Sequence, residues 1–401
     1  MNMRTLCALS LALLMLLSVT AVPAGEDIVI PVLSFKQKEL PDLPSYNFVK
    51  GLGTGWNLGN TFDATNAFHL TDEMDYEKTW TGVMTDPRVF DALKAAGFQS
   101  VRIPVSWHNH VAGKDFTISK SWLARIKEVV DWALDRDLFV IVNTHHDNEK
   151  GYLYPDEKHL DSSLHYMRSI WAQLADTFRD YDERLIMESM NEPRLAGTNI
   201  EWWLNPEDPR SEEAVRCINR LNQAFVDTVR AKGGYNAKRY LLVPGYAASV
   251  QGCLHEAFAM PQDTQGLHYN RLLLSVHAYT PYAFALQGPR EAGSKNNFSV
   301  ENVFDIQEIA VFMDQLYNKF QPLEVPIVIG EFGARDKDGN LQARVDFTAA
   351  YVALARSRGM SCIWWDNHGF SGDGELFGLL DRRTFEFRYP EIVNAIIHNA
   401  K

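Results

Sequence analysis

Short apolar runs alternate with amphipathic stretches along most of this 401-residue chain, the pattern of repeated strand-helix units around a parallel sheet. Eight runs read as strands: 51–57, 100–105, 139–143, 185–190, 240–244, 273–277, 327–329 and 362–365. Helical periodicity falls between them at 87–96, 120–136, 163–178, 212–231, 304–319 and 342–358. In the second of these, Trp122, Ile126, Val129, Val130 and Ala133 recur on one face, as a helix against a sheet requires. Gly97, the Gly233-Gly234 pair and Gly359 follow helices as stop signals. Eight such units predict an α/β fold, a single (β/α)8 barrel, whose active site lies where the strands end. An open doubly wound sheet fits less well, because the glycine run 51–55 leads directly into Trp56 and not into a helix.

The chain ends modify this picture. Arg4, the apolar run from Leu6 to Val19 and the small residues near Ala24 predict a signal peptide over 1–24. The mature chain is then expected to be secreted, extracellular or periplasmic, without a membrane anchor. Residues 25–47, with Pro31, Pro41 and Pro44, read as an extended lead-in, and 48–401 as the barrel domain. Cys7 leaves with the leader, so Cys217, Cys253 and Cys362 allow one disulfide at most. A net charge of -12 argues against a nucleic-acid partner. A monomer is expected.

Two strand ends carry the candidate chemistry. One run stops at Asn191-Glu192-Pro193, and a later one at Gly330-Glu331-Phe332-Gly333. Paired carboxylates are what glycosidic cleavage requires: one protonates the leaving oxygen while the other supports charge at the anomeric carbon. Glu188 lies inside its strand and reads as structural. Arg102, between Val101 and Ile103 in a buried strand, is no ordinary surface arginine. His145 and His146 invite a metal assignment, but adjacent strand residues point oppositely and no third ligand has regular spacing. No metal or cofactor is expected. His277 and Tyr279 share one strand face, and only one of Trp364 and Trp365 can face the barrel mouth. Trp107, Tyr152, Tyr154, Trp202, Trp203 and Tyr282 lie past strand ends, where they line a groove or pack loops. Asn297-Phe298-Ser299 is a glycosylation sequon, meaningful in a eukaryotic source.

With Gly55-Trp56-Asn57-Leu58-Gly59-Asn60-Thr61 near its start, the chain resembles glycoside hydrolase family 5, in its endoglucanase branch, from about Gly51 to Trp365. The resemblance implies that Glu192 is the general acid/base and Glu331 the nucleophile of a retaining double displacement, with carboxyl groups about 5–5.5 Å apart. It implies a Glu192 pKa raised by ionised Glu331 until the glycosyl ester removes that charge. Arg102 would hydrogen-bond the nucleophile, and Asn191 the sugar 2-hydroxyl. His145 and His146 would contact sugar, His277 and Tyr279 would position the two glutamates, and Trp365 would be a stacking platform. Asn57 would reach a distant subsite on the non-reducing side. The expected substrate is a β-glucan polysaccharide, cellulose-like or mixed-linkage, with xyloglucan or mannan as alternatives. The competing class is a catalytically idle glycan-binding barrel.

Overall fold

The computed structural model describes residues 27–265 and 270–401; the expected signal peptide at 1–24 lies outside the described residues. Eight strands are β1 (Thr54–Leu58), β2 (Ser100–Ile103), β3 (Phe139–Asn143), β4 (Leu185–Glu188), β5 (Leu241–Pro244), β6 (Leu272–His277), β7 (Ile327–Phe332) and β8 (Ser361–Asp366). All pair in parallel and close into a barrel in the order β1-β8-β7-β6-β5-β4-β3-β2. Every expected strand is therefore present, with ends shifted by a few residues.

The first strand starts late for a physical reason. Pro44–Leu52 is a helix, α1, not the end of an extended lead-in. Pro44 sits at the first helical turn, where its missing N–H costs nothing, and Gly53, at φ 55°, ends the helix. The six expected helices are α2 (Arg88–Ala96), α3 (Lys120–Leu134), α4 (Leu160–Thr177), α5 (Pro209–Ala231), α6 (Val303–Phe320) and α7 (Leu341–Arg356). The start of α5 precedes its apolar pattern because Asp208 caps the Arg210 N–H and Pro209 opens the helix. A helix at Pro390–Asn399, α8, packs on α7 and was not expected from the periodicity.

Period-2 alternation sorts the barrel interior into layers. At the floor, Val49 and Leu52 of α1 plug the space between Ile141, Ile186, Leu242, Leu273, Val328 and Ile363. Full burial of each such side chain contributes about 1.5–3 kcal/mol. Above this layer the interior turns polar.

The lead-in from residue 27 lies over the outer helices. Ile28, Ile30, Leu33 and Phe35 pack on the core. Asn399 accepts from the Leu33 N–H and donates to Pro31 O, while Gln342 does the same with both backbone groups of Val29. Cys217, Cys253 and Cys362 are buried thiols. No helix among the described residues is long and apolar enough to cross a membrane.

Candidate active site

The polar layer is centred on Arg102, which has no exposed surface. Its position in β2 points it into the barrel, where four acceptors surround the guanidinium. Nε donates to Glu188 Oε2 at 2.7 Å, Nη2 to Asn191 Oδ1 at 2.7 Å, and Nη1 to Glu331 Oε1 at 2.8 Å and Asn57 Oδ1 at 3.1 Å. Glu188 is fully buried and also accepts from Asn143 Nδ2 and Ser275 Oγ. A buried arginine persists only when its charge is neutralised and its N–H groups are satisfied. Here Glu188 and Glu331 share that task, and Glu188 is structural.

Glu331 reaches this position through an irregularity in β7. Val276 pairs with Ile329, but His277 pairs with Glu331; on the other side Cys362 pairs with Ile329 and Trp364 with Phe332. One extra residue, Gly330, is therefore inserted opposite both neighbouring strands. Val328 faces inward, so strict alternation would send Glu331 outward; the bulge re-aims it into the mouth. Gly330 is also needed for space, since a Cβ there would lie 3.1 Å from His277 Nε2.

At the mouth, Tyr279 OH donates to Glu331 Oε2 at 2.9 Å, and His277 Nδ1 lies 2.9 Å from Glu192 Oε1. One oxygen from each glutamate and a His277 nitrogen all lie within 4.8 Å of one another. His277 Nε2 is buried without a protein partner, and Nδ1 is the ring nitrogen that faces Glu192. Burial alone would raise the Glu192 carboxyl, but the His277 hydrogen bond and the charges of His277 and Arg194 bring it below its ordinary value. Burial, reinforced by the Glu192 charge, leaves Glu331 above its ordinary value despite His277, Arg102 and Tyr279. Burial opposes the His277 imidazolium, yet the two glutamates raise it. The shifts are thus opposite to the raised Glu192 that the resemblance implied. The three groups act as one proton-sharing unit.

Other expected contacts fall into two sets. His145 and Trp365 stand with rings parallel, 5.8 Å between centroids, and His146 lies edge-on to His145 at 4.5 Å. All three line a cleft of about 560 Å³ together with Asn191, Glu192, His277, Tyr279 and Glu331. Asn57 departs from expectation: it is fully buried, and its Nδ2 donates to Gly330 O and Trp364 O. It cannot reach a sugar; it ties β1 to the β7 bulge and to Arg102. Arg102 meets Glu331, as expected, and does not line the cleft. Trp364 turns away from the mouth, its indole N–H held by Phe377 O. Among the loop aromatics, Trp107 and Tyr154 are core residues, and Tyr152 packs on Tyr166. Trp202, Trp203 and Tyr282 are 49%, 65% and 44% exposed and line the cleft.

Sequence reasoning missed Arg194, two residues past Glu192, whose guanidinium lies 3.9 Å over the Trp202 ring and 3.8 Å from Glu192 Oε2. It also missed Glu375, which overlooks the cleft from the loop after β8. Its only sequence signal is an acid in a glycine-rich loop. Among the described residues, two donor groups have metal-like spacing, Glu192-His277-Glu331 and Asp63-His145-His146. In the first, Arg102, Tyr279 and His277 already engage the carboxylates. In the second, Asp63 takes the Asn60 and Thr61 N–H groups, and burial pushes its carboxyl up to about 7.

A family model described as cellulase (glycosyl hydrolase family 5) matches residues 61–371. Endoglucanase A of Ruminococcus albus is 37% identical over 365 residues, 90% of this chain and 94% of that protein. A family 5 lichenase from Caldicellulosiruptor sp. F32 is 51% identical, with a TM-score of 0.91 over 93% of this chain and all of that one. A mutant of that lichenase in complex with cellotetraose matches equally well, at 51% identity and TM-score 0.91, with 93% and 100% coverage. With the barrel and its paired glutamates in view, these matches place the chain in glycosyl hydrolase family 5, the cellulase family.

Proposed function

We propose that the protein is a secreted, monomeric, retaining endo-β-1,4-glucanase acting on cellulose-like or mixed-linkage β-glucans. The proximity of Glu192 and Glu331, within 4.8 Å at their nearest oxygens, carries this reading. Retaining enzymes hold their two carboxyl groups closer together than inverting enzymes do, and this proximity supports the retaining reading.

Glu331, fixed by Arg102 and Tyr279, attacks the anomeric carbon while Glu192 gives its proton to the departing glycosidic oxygen. The carbon–oxygen bond breaks and a glycosyl ester forms. His277 Nδ1, 2.9 Å from Glu192 Oε1, holds the proton that Glu192 needs as that oxygen draws it. In the second half, ionised Glu192 takes a proton from water, and the resulting hydroxide equivalent releases Glu331.

The leaving group departs toward the acid, so the loop after Glu192, carrying Trp202 and Trp203, walls the leaving-group half. We assign His145, His146 and Trp365, which line the same cleft, to the other half. The endoglucanase names of the relatives support internal cleavage. The lichenase and endoglucanase names of the relatives support β-glucan as the substrate class.

The test is hydrolysis of carboxymethylcellulose, barley β-glucan, xyloglucan and mannan, with the first-formed anomer followed by proton NMR. Oligosaccharide release from the first two, with the β-anomer appearing first, is the expected result. First appearance of the α-anomer would sink the retaining mechanism, and activity on mannan alone would sink the glucanase assignment.

A further inference from the structure

Just past the nucleophile, two buried cations hold one wall of the cleft in place. The backbone beyond β7 passes between the loop that follows β6 and the loop that follows β8. Arg335 gives its backbone N–H to Ala285 O, Nη1 to Leu286 O at 2.9 Å and Nη2 to Gly374 O at 2.8 Å. Lys337, 1% exposed, directs its ammonium to Ala283 O at 2.7 Å, Lys295 O at 3.0 Å and Ser294 Oγ at 3.1 Å. Its backbone N–H is held by Asn340 Oδ1, whose amide nitrogen donates to Asn296 O.

These contacts grip both ends of one segment, 283–295. The segment has little regular structure of its own, a single helical turn at Tyr282–Ala285. A buried ammonium facing neutral oxygens is costly unless each N–H is used, and here all three are. The gripped segment presents Leu286 and Glu291 to the cleft, and Tyr282, the residue just before it, lines the same cleft. Tyr282 meets Trp203 edge-on, 6.1 Å between centroids, so this wall belongs to the leaving-group half.

We propose that Lys337, assisted by Arg335, is a positioning residue for the leaving-group half of the cleft: by closing the 283–295 segment it sets how tightly the departing part of a β-glucan chain is bound. The inference rests on the β-glucanase reading. Lys337 touches neither glutamate, so its effect is confined to substrates that occupy that half.

Two substrates separate this role from general damage. Cellohexaose fills the leaving-group half, whereas 2,4-dinitrophenyl β-cellobioside carries a leaving group that departs without sugar contacts or acid assistance. Lys337→Met is expected to lose about tenfold in kcat/KM on cellohexaose, mainly through KM, with a shifted cleavage position. Its kcat/KM on the dinitrophenyl glycoside is expected to stay within about twofold of wild type. Lys337→Arg, which keeps the charge, is expected to recover part of the loss, and it serves as the comparison if the Met variant does not fold. Equal losses on both substrates, or no loss on either in both variants, would overturn the proposal. Wild-type protein inactive on both substrates would instead overturn the glucanase reading, before any variant is compared.

Discussion

The floor and the middle of the barrel are drawn from the same strands, one alternation apart. Ile141, Ile186, Leu273 and Val328 form the floor; two residues further along, the same strands supply Asn143, Glu188, Ser275 and Gly330. That step is about 7 Å of strand. Below it, the layer is held by apolar burial around a helical plug. Above it, the layer is held by one arginine and two carboxylates. The floor can be disturbed without touching chemistry, because its contacts end where the polar layer begins. The polar layer cannot, because Arg102 serves the structural Glu188 and the reactive Glu331 with one guanidinium.

The largest effect is expected from Glu331→Ala, which should lower kcat on β-glucan by roughly 10⁴-fold or more while polysaccharide binding persists. Unchanged turnover would remove Glu331 from the mechanism. Arg102→Leu should next cost both properties: about 3–5 kcal/mol of stability, since Glu188 is left buried without its partner, and roughly 10²-fold in kcat. Adding Glu188→Leu should restore much of the denaturation midpoint and none of the rate. Recovery of both would mean that the two carboxylates are not separable. At the floor, Leu52→Ala should cost about 2–5 kcal/mol in chemical denaturation with kcat unchanged, and a large fall in kcat would break the division between layers.

The smallest effect is on pH. Glu331 must be ionised to attack, and its pKa lies above the ordinary 4.5; the acidic limb of kcat/KM should therefore lie above 4.5, activity rising as the proton leaves. Glu192 needs the proton shared with His277, whose pKa lies above the ordinary 6.5. The alkaline limb should accordingly lie above 6.5, activity falling as that proton is lost. His277→Gln should move the alkaline limb, and a profile unmoved in that variant would exclude His277 from the shared proton.

The parts of this arrangement that repeat were the parts the sequence made visible. Eight apolar runs and six amphipathic stretches recur with a regular period, and Glu192 and Glu331 stand out as charges at the ends of such runs. The barrel followed from eight recurring strand-helix units, a buried Arg102 from its place between Val101 and Ile103, and its bond to Glu331 from the family resemblance. What alternation hides is local. The helix α1 is short and introduced by prolines, so it resembled an extended lead-in, although Val49 and Leu52 close the barrel. Asn57 looked like a cleft residue because a polar side chain at a strand end can equally meet ligand or protein. The hold of Lys337 on carbonyl oxygens has no sequence signature, since its partners are backbone atoms 54 and 42 residues away.

The bulge at Gly330 has a consequence for how such chains are compared and redesigned. Facing is decided there by residue count, so removing Gly330 would leave every other motif letter in place and turn the nucleophile toward the helices. A census of motif letters would pass such a chain as an enzyme. Only an inventory that tracks strand phase would recognise it as inert.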